Sequence, residues 1–116
     1  MRGDKVYIHH IIDAILAIEQ FTKSISPEEF AQNDLIQSGV IRKIEIIGEA
    51  VKNVSGEFKE RYSKIPWKHI AGMRDKLIHQ YFGVDVDRVW EVVQKDLRSL
   101  KKQILIILEK EESTEI

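Results

Sequence analysis

The sequence predicts an all-α fold, an up-and-down bundle of four main helices plus one short helix. Three observations lead there. Apolar residues recur at spacings of three and four rather than alternating, which is the period of a helix with one buried face. Only two prolines and six glycines interrupt 116 residues, so long helices are not broken from within. Start and stop signals fall between the periodic segments, where helix ends require them.

Asp4 is placed to cap a first helix running to about Lys23, with Ile8, Ile11, Ile12, Ile15, Ile18 and Thr22 along its inner stripe. Ser26-Pro27-Glu28-Glu29 then reads as a capping box: the serine hydroxyl can accept from a free amide, proline suits the first turn, and Glu29 can answer back. The helix it opens is short. Asp34 starts a long third segment in which Ile36, Val40, Ile44, Ile47, Val51 and Val54 keep to one face. Gly48 lies in its middle at a cost of roughly 1 kcal/mol relative to alanine, which predicts the close approach of another helix. Ser55-Gly56 ends the segment, and GEFKERYSK makes a turn or short helix before Ile65-Pro66-Trp67. Pro66 is expected in the first turn of the next helix, which runs through RDKLIHQY and stops near Gly83, a residue that tolerates positive φ. Asp85 or Asp87 caps the last helix, where Val86, Trp90, Val93, Leu97, Leu100, Ile104 and Ile107 form a seam for antiparallel neighbours. Residues 1–116 are read as a single domain, with 109–116 a frayed acidic tail.

Composition narrows the classes of function. A hydrophobic fraction of 43% beside 32% charged residues suits one soluble globular core. The longest apolar runs fall far below the roughly 18 residues needed to span a bilayer, and MRGDKVYIHH lacks the apolar stretch of a signal peptide. A cytoplasmic location is expected. Without cysteine there are no disulfides, thiol nucleophiles or thiolate zinc sites. The net charge of −1 exerts no global pull on polyanions. Locally, however, Lys59, Arg61, Lys64, Lys68, Arg74 and Lys76 outnumber Glu60 and Asp75, leaving an excess of four positive charges over residues 59–76. Lys64, Lys68 and Lys76 are the candidates for holding a polyanionic backbone. Such a run also serves simply as a solvated surface.

RDKLIHQY, residues 74–81, concentrates groups able to do chemistry. If the helix continues through it, Asp75 and His79 stand at i and i+4, where a carboxylate can orient one imidazole nitrogen and leave the other for a substrate. Arg74 and Tyr81, seven apart, share a face. Arg74 and His79 diverge by about 140° on an ideal helix. Bringing them together requires a groove, a local unwinding near Gly83, or a second copy of the chain. In a purely structural reading, Asp75 and His79 satisfy each other and Tyr81 packs inward.

The order Arg74-x4-His79-x-Tyr81, set between RKIEIIGEAVKNVS and IPWKHIAGMRDKLIHQYFGVDVDRVWEVVQKDL, resembles the HepT-like (DUF86) branch of the HEPN superfamily. The resemblance covers essentially the whole chain and is most specific from Ile41 to Leu97. It implies a metal-independent endoribonuclease without cofactors, the toxin of a type VII-like toxin–antitoxin pair. Its partner would be an MNT-type nucleotidyltransferase antitoxin. It also implies a homodimer whose two motifs face one another across a cleft, and AMPylation of Tyr81 by the antitoxin. His79 would then move protons, Arg74 would hold the scissile phosphate, Asp75 would orient or pair, and Lys64, Lys68 and Lys76 would track the RNA backbone. The competing reading is a non-catalytic HEPN dimer that binds RNA, nucleotide or the nucleotidyltransferase.

Other features point less far. Adjacent His9 and His10 diverge by about 100° and make a poor chelate, and no Glu-x-x-His pair of a di-iron bundle occurs. Trp67 and Trp90 can stack on bases, but their places at a helix start and on an apolar seam favour the core. No Gly-rich phosphate loop or Gly-x-Ser-x-Gly elbow is present.

Overall fold

The computed structural model describes residues 2–79 and 83–114. The fold is all-α. Helix α1 (Arg2–Thr22) packs most extensively against α3 (Asp34–Asn53), and short α2 (Pro27–Ala31) joins them. After α4 (Gly56–Arg61) come two short helices, α5 (Trp67–Ala71) and α6 (Met73–Leu77), both lying on α3. Helix α7 (Val86–Glu91) runs through a π turn (Val92–Asp96) into α8 (Leu97–Thr114). The ion pairs Glu19–Lys101 at 3.0 Å and His9–Glu112 at 3.7 Å show α8 running antiparallel to α1.

The expected stripes meet in one core. Ile8, Ile11, Ile12, Ile15 and Ile18 of α1 face Val40, Ile44, Ile47 and Val51 of α3, closed by Val89, Val93, Leu97, Leu100, Ile104 and Ile107. Thr22 ends the α1 stripe half-buried, its hydroxyl donating to the Ile18 carbonyl at 2.9 Å. The capping box at Ser26 and Glu29 is present in both directions, at 3.1 and 3.0 Å. Gln37, buried on α3, donates from Nε2 to the Phe30 and Ala31 carbonyls, taking up the end of α2. Both tryptophans belong to the protein interior. Trp67 is buried and donates to the Tyr62 carbonyl at 3.1 Å, while half-buried Trp90 packs on Phe30. Gly48 has the reason expected of it: a Cβ there would stand 3.2 Å from the Ala71 carbonyl oxygen of α5.

Several ends differ from expectation. Asp4 does not cap α1, which already includes it; its buried carboxylate accepts from the Ser55 amide at 2.7 Å and the Ser55 hydroxyl at 2.8 Å. It therefore ties α1 to the start of α4. Asn33, one residue before Asp34, caps α3 through the Ile36 amide, and of the two aspartates offered for α7, Asp85 does the capping. The acidic segment from Glu109 is helical through Thr114. It continues α8, because Glu111 accepts from Tyr62 and pairs with Arg61 at 3.2 Å.

The largest correction concerns the motif segment. One helix was expected from Pro66 to about Gly83, yet Pro66 stands before α5, the helix kinks at Gly72, and α6 ends at Leu77. Ile78–His79 (β1) and Gly83–Val84 (β2) form a short antiparallel pair, Ile78 opposite Val84 and His79 opposite Gly83. The Leu77 carbonyl, which a continuing helix would offer to the amide four residues on, accepts instead from the Asp85 amide at 2.9 Å. Extended pairing thus replaces the last helical turn.

Candidate active site

Met73 and Leu77, both buried, anchor α6 against the core, so the intervening Arg74, Asp75 and Lys76 project outward. Arg74 is held in place. Its Nε donates to Oε2 of Glu45 on α3 at 3.1 Å, with the two side chains 45% and 33% exposed. One terminal nitrogen lies 3.6 Å from the carboxylate of Asp75, which is itself 81% exposed. Binding through Nε uses one of five guanidinium N–H groups and leaves the terminal fork able to meet an oxyanion.

Asp75 therefore approaches Arg74. The expected i, i+4 pairing of Asp75 with His79 presupposes a helix through residue 79, whereas α6 ends at Leu77 and His79 stands in β1. The 140° divergence loses its basis for the same reason. Of the three routes considered for joining Arg74 and His79, local unwinding is present, beginning at Ile78. The His79 side chain and the whole of Tyr81 lie outside the described residues.

The three candidate RNA-binding lysines part company. All are exposed, but Lys64 and Lys76 line adjoining cavities of about 480 and 100 Å3, whereas Lys68 lines neither. The cavities meet at His69, whose Nδ1 lies 3.3 Å from Lys76 Nζ and whose Nε2 lies 3.6 Å from Asp96 of the π turn. An ammonium can only donate, so Nδ1 is the acceptor and Nε2 carries the hydrogen facing Asp96. Sequence reasoning missed Glu45, His69 and Asp96. Glu45 sits in RKIEIIGEA, quoted above for its likeness to a family, but nothing local marks it as the arginine's partner.

Among the described residues, no group of three or more His, Asp or Glu side chains is arranged to hold a metal. His9 pairs with Glu112, and His10 packs edge-on against Tyr7. No helix among the described residues is long and apolar enough to cross a membrane.

Comparison with known proteins agrees with the motif. The family profile described as "Ribonuclease HepT-like" matches residues 11–107. A Caldanaerobacter subterraneus subsp. tengcongensis protein provisionally named an RNase is 46% identical over 96% of this chain and 99% of its own length. "Probable ribonuclease HepT" of Thermococcus cleftensis is 50% identical over 86% of this chain and 91% of its own. A Methanocaldococcus jannaschii protein named as a gamma-glutamylcyclotransferase and, provisionally, an RNase is 52% identical over 94% of this chain, which spans 50% of that relative's length. No solved structure gives a match. With most of the chain covered by the profile, and relatives of similar length at close to half identity, the chain belongs to the HepT-like ribonuclease family.

Proposed function

We propose that this protein is an endoribonuclease that cleaves RNA by attack of a ribose 2′-OH on the adjacent phosphorus, without a metal ion. The observation that carries the reading is the exposed, anchored Arg74 five residues before His79 in a chain of this family. The neutral His79 imidazole takes the proton from the 2′-OH. The 2′-oxygen forms a bond to phosphorus, the bond to the 5′-oxygen breaks, and that oxygen leaves with a proton. The products are a 2′,3′-cyclic phosphate and a 5′-hydroxyl. Arg74 places its terminal N–H groups on the non-bridging oxygens, where charge builds in the transition state. Asp75, beside Arg74, supports the position of the guanidinium rather than moving a proton.

In this reading two copies of the chain pair so that each motif faces the other, and His79 of the partner subunit supplies the proton that the leaving oxygen takes. The protein acts as the toxin of a toxin–antitoxin pair, restrained by a nucleotidyltransferase that AMPylates Tyr81 and so puts phosphate charge and bulk beside the site.

Arg74→Ala and His79→Ala variants test the chemistry. Each is expected to fold, judged by circular dichroism, and to lose formation of cyclic-phosphate ends on RNA in buffer containing EDTA. Full cleavage by either variant refutes the assignment, and wild-type binding of RNA without any cleavage would assign the protein to the non-catalytic class. Intact mass after co-expression with a neighbouring nucleotidyltransferase tests Tyr81, since a Tyr81→Phe variant should lose any added AMP.

A further inference from the structure

We infer that the groove between α5–α6 and the π turn is a track for the sugar–phosphate backbone of a single RNA strand, with Lys95 and Arg88 forming a cationic wall opposite Lys64 and Lys76. The inference rests on the ribonuclease reading and extends it to a surface beyond Arg74, His79 and Tyr81.

Three observations support it. The first is shape: the two cavities adjoin at His69, Met73 and Asp96, giving a continuous trough that ends beside Lys76 and Leu77, just before His79 in the chain. The second is charge. Four cationic side chains line the trough against Glu91 and Asp96, an excess of two positive charges with His69 neutral. Its floor includes buried Ile70, Met73 and Leu100, and a low-dielectric floor strengthens the field that the cations present to a phosphate. The third is the backbone of the far wall. A π turn accommodates an extra residue per turn relative to an α-helix and occurs frequently at functional sites. Here it keeps Val92 and Val93 in the core while Lys95 and Asp96 line the trough.

Asp96 would repel phosphate if left alone, but it faces His69, which in turn accepts from Lys76. The chain Asp96–His69–Lys76 thus joins the two walls and holds the Lys76 ammonium at the trough. Among the described residues the one ring lining the cavities is His69, which is held between Lys76 and Asp96, and no Phe, Tyr or Trp lines them. Contacts would go to phosphates and sugars, with little dependence on sequence. Ser99 and Gln103 on α8 offer hydrogen bonds of the kind a 2′-hydroxyl accepts and donates.

The test uses the full chain and a fluorescent single-stranded oligonucleotide with 2′-O-methyl riboses, which cannot be cut by 2′-OH attack. Binding is read by anisotropy across a range of salt. Lys64→Glu/Lys95→Glu should weaken binding about tenfold or more and flatten the salt slope by about 1.4 for two lost phosphate contacts. Lys102→Glu/Lys110→Glu makes the same change of net charge on exposed α8 positions outside either cavity and should have a much smaller effect. Equal effects of the two pairs would overturn the proposal. So would intact RNA binding by the groove variant, including the case in which it instead loses association with the nucleotidyltransferase, which would make the trough a protein-docking surface. Because the probe is uncleavable, failure of the ribonuclease reading shows only in the cleavage assay, and failure of the groove shows only here.

Discussion

Replacing Gly48 by alanine tests whether the approach of α5 to α3 is what positions the motif. In the interior of a helix the change should by itself stabilise by about 1 kcal/mol, because alanine loses less backbone freedom on folding. Against that, the new Cβ would stand 3.2 Å from the Ala71 carbonyl oxygen and 3.9 Å from that of Ile70. The contact is with backbone, so no side chain can rotate away. Relief requires α5 to move, and Trp67 and Ile70 fix α5 in the core. Overpacking of this kind costs about 1–3 kcal/mol, so the net expectation is a loss of about 1 kcal/mol, or roughly 4–6 °C in Tm for a domain of this size. Because Arg74 follows Ala71 by three residues, a displaced α5–α6 should also lower RNA cleavage at a temperature where the variant is fully folded. Urea and thermal unfolding followed by circular dichroism give the first quantity, and initial cleavage rates the second. Gly56→Ala is the control, since a Cβ there meets nothing within 4 Å. A Gly48→Ala protein that is about 1 kcal/mol more stable than wild type and cleaves normally would refute the argument, showing that the carbonyl yields freely.

Glu45→Gln retains an acceptor for the Arg74 Nε and should keep most activity, whereas Glu45→Ala frees the guanidinium and should reduce kcat more than it raises KM; both should stay within about 1 kcal/mol of wild-type stability, as befits a half-exposed pair. Equal kcat in all three proteins would remove Glu45 from the argument. Asp4→Ala leaves the Ser55 amide and hydroxyl without their acceptor at a buried joint and should cost about 1–3 kcal/mol in urea unfolding; an unchanged midpoint would show that the α1–α4 tie contributes nothing. Burial, aided by its hydrogen bond to Glu111, raises the Tyr62 phenol above its usual pKa. The folded state therefore favours the protonated phenol, and this contribution is complete below the ordinary tyrosine pKa and is lost as pH rises through the elevated folded value. Tyr62→Phe should be less stable at neutral pH and should lose less stability on alkaline titration; parallel pH profiles would contradict the assignment.

How far the sequence could be read depended on the range of the interaction. The capping box at Ser26 and Glu29 and the isoleucine stripe of α1 follow from neighbours three or four residues apart, and both are present as expected. The glycine at 48 was legible as a packing position because its local cost demanded compensation, although the helix that approaches it was not. The end of α6 was misread. RDKLIHQY has acceptable helical propensity throughout, so nothing local shows that the Leu77 carbonyl will be taken by the Asp85 amide. The seam of the last helix was only partly legible: Val89 of α7 and Val92 at the start of the π turn also lie in the core, beside the residues of the regular pattern.

By itself, then, the sequence determined the long helices, the capping box at Ser26 and the residue types that define the family, because each depends on contacts within a turn or two of chain. Tertiary structure alone decided the partners of the chemical groups. Glu45 reaches Arg74 across 29 residues and Asp4 reaches Ser55 across 51. No periodicity encodes such pairs: each donor has several acceptors of the right type, and the packing of α1, α5 and α6 around α3 selects which one comes within hydrogen-bonding distance. The same packing sets His69 against Asp96, and with it the trough that leads toward the motif.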